Sequence, residues 1–86
     1  MGYRVTLTDD AAKVFDRLDK PVKERLQGLI DRLESLVDPR SIGEALHGDL
    51  KGLWKYRAGE WRLFAKIQDG ELIVVVVRVA HRSKAY

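Results

Sequence analysis

The chain has 86 residues, 45% apolar and 34% charged, which allows one hydrophobic core under a charged surface. It has no cysteine, so disulfide staples and thiolate metal sites are excluded. The net charge of +3 is uneven: residues 1–50 carry eight Lys/Arg against ten Asp/Glu, and residues 51–86 carry eight against three, a basic part suited to polyanions or an acidic partner.

The first predicted element is a strand, Tyr3–Leu7, where apolar and polar residues alternate. Thr8-Asp9-Asp10 supplies an N-cap oxygen and first-turn carboxylates, so a helix is expected to start there. Ala11, Val14, Phe15 and Leu18 give that helix one apolar stripe. Asp19-Lys20-Pro21 breaks it, and Pro21 suits the first turn of a second helix. There Val22, Leu26, Leu29, Ile30, Leu33 and Val37 form a longer stripe, ended by Asp38-Pro39. Together these make an αα-hairpin.

Ser41–Gly52 reads as an irregular loop, with His47 in it read as structural or surface-exposed. Three strands are predicted after it: Leu53–Arg57, Trp61–Gln68 and Glu71–Ala80, the last two joined by an Asp69-Gly70 turn. Leu72–Val77 is the longest apolar run and is far short of the ~20 residues of a membrane span. No basic segment followed by an apolar stretch opens the chain as a signal peptide does. The expectation is one soluble, cytoplasmic domain over residues 1–86, of class α+β. Its order is an N-terminal strand, a two-helix hairpin and a three-stranded antiparallel meander.

Strand parity divides the basic region. Trp54, Tyr56, Trp61, Leu63, Ala65 and Ile67 share the side that the helices need, which sends the three large aromatic rings to the core. Lys55, Arg57, Arg62 and Lys66 collect on the other side, with Lys66 read as a solvated strand residue. A cationic sheet of this kind holds a nucleic-acid backbone through phosphate contacts. RNA cleavage on it needs no metal if the internal 2′-OH is the nucleophile. Arginine matches phosphate oxygens, His81 has the pKa for acid–base work, and Lys55 is a base only if Arg57 and Arg62 crowd out its charge. There are no paired carboxylates.

Several segments, in order, resemble the RelE branch of the RelE/ParE toxin superfamily. They are Tyr3–Leu7, the helix hairpin, Glu44-Ala45-Leu46-His47-Gly48-Asp49-Leu50, the stretch Gly52–Leu63 with Lys55 and Trp61-Arg62-Leu63, and the ending Val79-Ala80-His81-Arg82-Ser83-Lys84-Ala85-Tyr86. The resemblance covers the whole chain and implies a RelE-like, microbial-RNase-type fold. It implies a ribosome-dependent mRNA endonuclease that works in the ribosomal A site through a 2′,3′-cyclic phosphate, with no metal or other cofactor. Lys55 then matches a lysine that assists 2′-OH deprotonation or stabilises charge. Arg62 matches the clamp on the scissile phosphate, Arg82 the arginine beside the leaving group, and Tyr86 a tyrosine that orients a nucleotide. His81 stands where members carry histidine or lysine, and Lys51, Arg57 and Lys84 read as RNA-backbone contacts. Leu53 departs from the pattern, standing where one branch has a second lysine.

The implied partners are a RelB-like antitoxin, forming a heteromeric complex, together with the ribosome and mRNA. The toxin alone is expected to be a monomer. Two alternatives stay open: a ParE-like toxin that inhibits DNA gyrase without cutting RNA, and a weakened RNA-binding homologue.

Overall fold

The computed structural model describes residues 2–84. Strand β1 (Arg4–Leu7) leads into helix α1 (Asp9–Asp16) and helix α2 (Lys20–Ser35). Thr8 caps α1, its Oγ1 accepting from the Ala11 N–H at 3.2 Å, with Asp9 and Asp10 in the first turn. Pro21 lies in the first turn of α2. A 3₁₀ turn, Pro39–Ile42, follows, then strand β2 (Glu44–Ala45) and a second 3₁₀ turn, Gly48–Leu50. Strands β3 (Leu53–Ala58), β4 (Trp61–Gln68) and β5 (Ile73–His81) complete the sheet.

The sheet order is β1-β5-β4-β3-β2, with β1 parallel to β5 and every other pair antiparallel. The predicted α+β order of strand, helix hairpin and meander is therefore present, with two differences. Glu44–Ala45, expected within an irregular loop, forms a short edge strand that pairs Glu44 with Lys55 and Ala45 with Trp54. The β4–β5 connection is a 3₁₀ turn at Asp69–Glu71 in place of a two-residue Asp69-Gly70 turn. Its left-handed residue is Leu72, at φ 54°, so β5 begins at Ile73 and not at Glu71.

Leu26, Ile30 and Leu33 of α2 and Ala11 of α1 are buried against Tyr56, Ala58, Leu63, Ala65, Val74, Val76 and Val79 of the sheet. Trp54 and Trp61 pack at the margin of this cluster, so the aromatic side chains fall on the expected face. Two stripe residues do not join the core. Val14 is 38% exposed, and Val37 is 88% exposed because α2 stops at Ser35 and Leu36 turns the chain into extended backbone. Leu36 packs on the core in its place.

Two features brace the ends of the sheet. Arg40 reaches Asp69 at 2.6 Å and Asp38 at 3.2 Å and lies over the Trp54 ring at 5.9 Å, while the Tyr3 hydroxyl donates to Asp69 at 2.6 Å. Asp69, held by this guanidinium and phenol, has its pKa lowered. The second feature is a register shift between Phe64 and Ala65. Below it Ala65 pairs with Val76, and above it Phe64 pairs with Arg78, so Val77 is the extra residue. A bulge of this kind reverses the parity of everything beyond it. Without it Arg78 would point into the helix-covered core.

Candidate functional site

The sheet face away from the helices carries two cross-strand rows. Lys55, Phe64 and Arg78 form one across β3, β4 and β5, and Arg57, Arg62 and Ala80 form the next. Phe64 is 2% exposed yet lies outside the helix–sheet cluster. The Arg78 guanidinium sits 5.8 Å above its ring, and the neighbouring Lys55 side chain is only 15% exposed. Arg62 is held by its own turn, with Nη1 donating to the Gly59 carbonyl at 2.9 Å and the Trp61 carbonyl at 3.0 Å. Arg57, directly opposite Arg62, is exposed, as is Lys66, the solvated strand residue of the sequence reading.

Glu44 on β2 sits in this cationic field. Its Oε2 lies 2.9 Å from the Lys55 Nζ. The hydrogen bond from Lys55 and its charge lower the Glu44 pKa, with smaller contributions from Arg57 and Arg62. Three cations of the face thus act on one carboxylate. Lys55 therefore has a counter-charge in contact.

The predicted residues at the end of β5 are gathered elsewhere. His81 pairs in register with Trp61, the two rings meeting edge-to-face at 5.5 Å, on the side of the sheet opposite Lys55 and Arg62. Arg82 begins a 3₁₀ turn, Arg82–Lys84. Its backbone N–H donates to the Glu60 carbonyl at 2.7 Å, and its guanidinium is 3.8 Å from the Glu60 carboxylate. Lys84 is exposed, and its carbonyl accepts from Arg78 at 2.7 Å. A cavity of ≈ 490 Å³ opens here, lined by Trp61, Arg78, Val79, Ala80, His81, Ser83 and Lys84. Of the remaining candidates, Lys51 is exposed in the loop before β3, and Leu53 is half-buried opposite Lys66. Tyr86 lies outside the described residues. His47 is exposed, in keeping with a surface role.

The structure thus brings Lys55, Arg57 and Arg62 together and collects His81 and Arg82 around Glu60. Three residues that sequence reasoning passed over belong to these groups: Glu44, Glu60 and Arg78. Arg78 is the single charge within the apolar run of β5, which is the signal that marks it. Its face depends on the bulge, which the surrounding valines conceal. Among the described residues no group of three or more His, Cys, Asp or Glu side chains forms a metal-ligand set. No helix among them is long and apolar enough to cross a membrane.

Comparison with known proteins fixes the lineage. A family profile described as the ParE toxin of the type II toxin–antitoxin system parDE matches residues 5–86. The chain belongs to the RelE/ParE toxin superfamily. It is 31% identical over 84 residues to Toxin RelE of Mycobacterium tuberculosis, covering 98% of this chain and 86% of that one. The toxin–antitoxin complex RelBE2 of M. tuberculosis superposes with a TM-score of 0.84 at 27% identity, covering 98% of this chain and 95% of the other. The archaeal RelE–RelB complex of Pyrococcus horikoshii gives 0.75 at 26% identity, covering 99% and 100%. Within the superfamily, the five-stranded sheet with its helix hairpin is a RelE-like fold.

Proposed function

We propose that this RelE-like toxin is an endoribonuclease that cuts mRNA in the ribosomal A site by attack of the internal 2′-OH, without a metal ion. The observation that carries this reading is the Glu44 carboxylate 2.9 Å from the Lys55 Nζ, on the sheet face that also bears Arg57 and Arg62. A phosphate that displaces Glu44 meets the same cationic face.

In this mechanism Arg62, held by its turn carbonyls, takes the non-bridging oxygens of the scissile phosphate as negative charge builds on them. Lys55 stabilises that charge or assists removal of the 2′ proton once Glu44 has moved. Arg57, Lys51 and Lys84 hold the flanking backbone. Arg82 stands beside the leaving 5′-oxygen and His81 supplies its proton, which requires the arm that carries them to close onto the Lys55–Arg62 face. Tyr86 orients a nucleotide. The products are a 2′,3′-cyclic phosphate and a 5′-hydroxyl end.

The partner is a RelB-like antitoxin, since the neighbouring structures are described as RelB–RelE complexes. An acidic segment of that partner laid over the Lys55–Arg62 face neutralises it, giving a heteromeric complex from a toxin that is monomeric alone. Action on ribosomes places the toxin in the cytoplasm. The second reading is a ParE-like gyrase inhibitor, favoured by the name of the matching profile and by the separation of His81 from the Lys55 face.

One experiment separates the two. Purified protein is added to programmed ribosomes and the mRNA ends are mapped by primer extension, with Arg82→Ala in parallel. Codon-phased cuts that vanish in the variant support the ribonuclease. Intact mRNA alongside gyrase-dependent DNA breaks assigns the gyrase inhibitor.

A further inference from the structure

Glu60 lies on the turn between β3 and β4, where Gly59 takes a left-handed φ of 63° that favours glycine. It makes three separate contacts with the end of β5. Its carbonyl accepts from the Arg82 N–H at 2.7 Å. One carboxylate oxygen is 3.8 Å from the Arg82 guanidinium, and the other is 3.3 Å from the His81 Nε2. The far side of the imidazole is held as well: Nδ1 is 2.9 Å from the Ser83 Oγ and accepts from the Ser83 N–H at 3.2 Å.

These contacts decide the tautomer. A backbone N–H can only donate, so the neutral ring receives that bond on a bare Nδ1 and carries its proton on Nε2. Nε2–H then points at the Glu60 carboxylate. When the ring is protonated, Nδ1–H turns to the Ser83 hydroxyl, and Glu60 faces a full positive charge. Trp61 closes one side of the imidazole with an edge-to-face contact. Glu60 on the turn contacts the ring, Arg82 follows it on its own arm, Arg78 and Lys84 line the same cavity, and Arg25 of α2 borders the turn at Gly59.

We propose that Glu60 is the positioning residue of the His81–Arg82 arm. It accepts the Nε2–H of the tautomer that Ser83 sets on His81, and it pins the first residue of the closing turn to the β3–β4 hairpin. The tautomer and the charge pairing stand on geometry alone, whereas their consequence for catalysis rests on the ribonuclease reading. If His81 gives its proton to the leaving oxygen, Glu60 holds the ring in one orientation before the arm closes. Glu60 itself touches no reacting atom.

The test uses Glu60→Gln and Glu60→Ala in the full chain. Glu60 is exposed, so both variants are expected to fold. The ¹⁵N shifts of the His81 ring, recorded by NMR at pH 8 without RNA, report its tautomer and how firmly the ring is held. Glutamine keeps an acceptor for Nε2–H but loses the charge. The Nε2–H tautomer is expected to persist in Glu60→Gln with one set of ring signals. Glu60→Ala leaves the tautomer to Ser83 but frees the Nε2 side of the ring, so its signals should broaden or split.

In the ribosome assay kcat should drop in Glu60→Ala and the KM for programmed ribosomes should stay unchanged, with Glu60→Gln restoring part of the loss. Identical His81 ring signals in all three proteins, or an Nδ1–H tautomer in the wild type, would overturn the proposal whether or not RNA is cut. Wild-type protein that passes the NMR test but leaves mRNA intact removes the ribonuclease reading and leaves the Glu60 clamp standing.

Discussion

Removing one hydroxyl, in Tyr56→Phe, tests how the strand beneath the cationic face is held. Tyr56 is 1% exposed, and its hydroxyl donates to the Pro39 carbonyl at 2.9 Å, tying β3 to the 3₁₀ turn that follows α2. Phenylalanine keeps the ring and removes the donor, so the loss is one buried hydrogen bond with its acceptor left behind, about 1.5 kcal/mol. For a domain of this size that corresponds to a fall in Tm of roughly 6–12 °C.

The same hydroxyl gives the prediction a second, opposite limb. Burial pushes the Tyr56 pKa up to about 12 from an ordinary value of 10.0. A raised pKa means that the folded state favours the protonated form. Its contribution is complete below pH 10 and is lost as pH rises toward 12, by up to about 2.7 kcal/mol at 1.36 kcal/mol per unit. Phenylalanine has no such proton. The variant is therefore less stable at neutral pH, but its alkaline decline is shallower, and the two stability curves cross near about pH 11. Urea titrations followed by far-UV circular dichroism at pH 7, 10, 11 and 12 measure this directly. Parallel curves, with the same gap at every pH, would refute the assignment of a buried, hydrogen-bonded phenol.

Three further outcomes follow from the same structure. Gly43→Ala places a Cβ 2.7 Å from Cε1 and 3.0 Å from Cζ of Tyr56, whose ring cannot retreat while its hydroxyl holds Pro39. The expected cost is about 1–3 kcal/mol by urea denaturation, and it should shrink when combined with Tyr56→Phe. Leu26→Ala, at a fully buried α2 position, should cost about 2–5 kcal/mol and leave the m-value unchanged if the helix–sheet interface is the core. Glu44→Gln removes the carboxylate in contact with Lys55 and should tighten binding of a short RNA a few-fold at low salt, an effect that fades as salt rises. In the wild type the same release occurs only as pH falls below the ordinary carboxylate range, because Lys55 holds the Glu44 pKa down. Equal affinities at low salt would show that Glu44 does not compete with phosphate.

Period and capping made much of this fold legible. The 3.6-residue stripe identified Leu26, Ile30 and Leu33, Thr8 marked the start of α1, and alternation placed Tyr56 and Leu63 on the helix side. The Lys55, Arg57 and Arg62 grouping followed from the same parity. Other features left no local trace. Glu44–Ala45 is too short for a period, and it becomes a strand only because β3 offers it a partner. Val37 matched the helical stripe but fell beyond the last turn, where the backbone at Leu36 had already turned extended. Asp69-Gly70 carried a strong turn signal, yet the left-handed residue is Leu72. The bulge had the largest consequence. In a run of valines either face is equally apolar, so no residue announces where the register slips, and the faces of Arg78 and His81 could not be assigned. Glu60 was invisible as a partner of His81 because 21 residues separate them in the chain.

The claim at the centre of this account is that Arg62 on the cationic face promotes 2′-OH attack on a bound mRNA. Programmed ribosomes incubated with the protein in EDTA, followed by chemical analysis of the new 3′ ends, test it directly. The account predicts codon-phased fragments ending in 2′,3′-cyclic phosphate, and their loss in an Arg62→Ala protein that keeps the wild-type circular dichroism and Tm. Cleavage that requires added divalent metal, or that continues at the wild-type rate in Arg62→Ala, would contradict it.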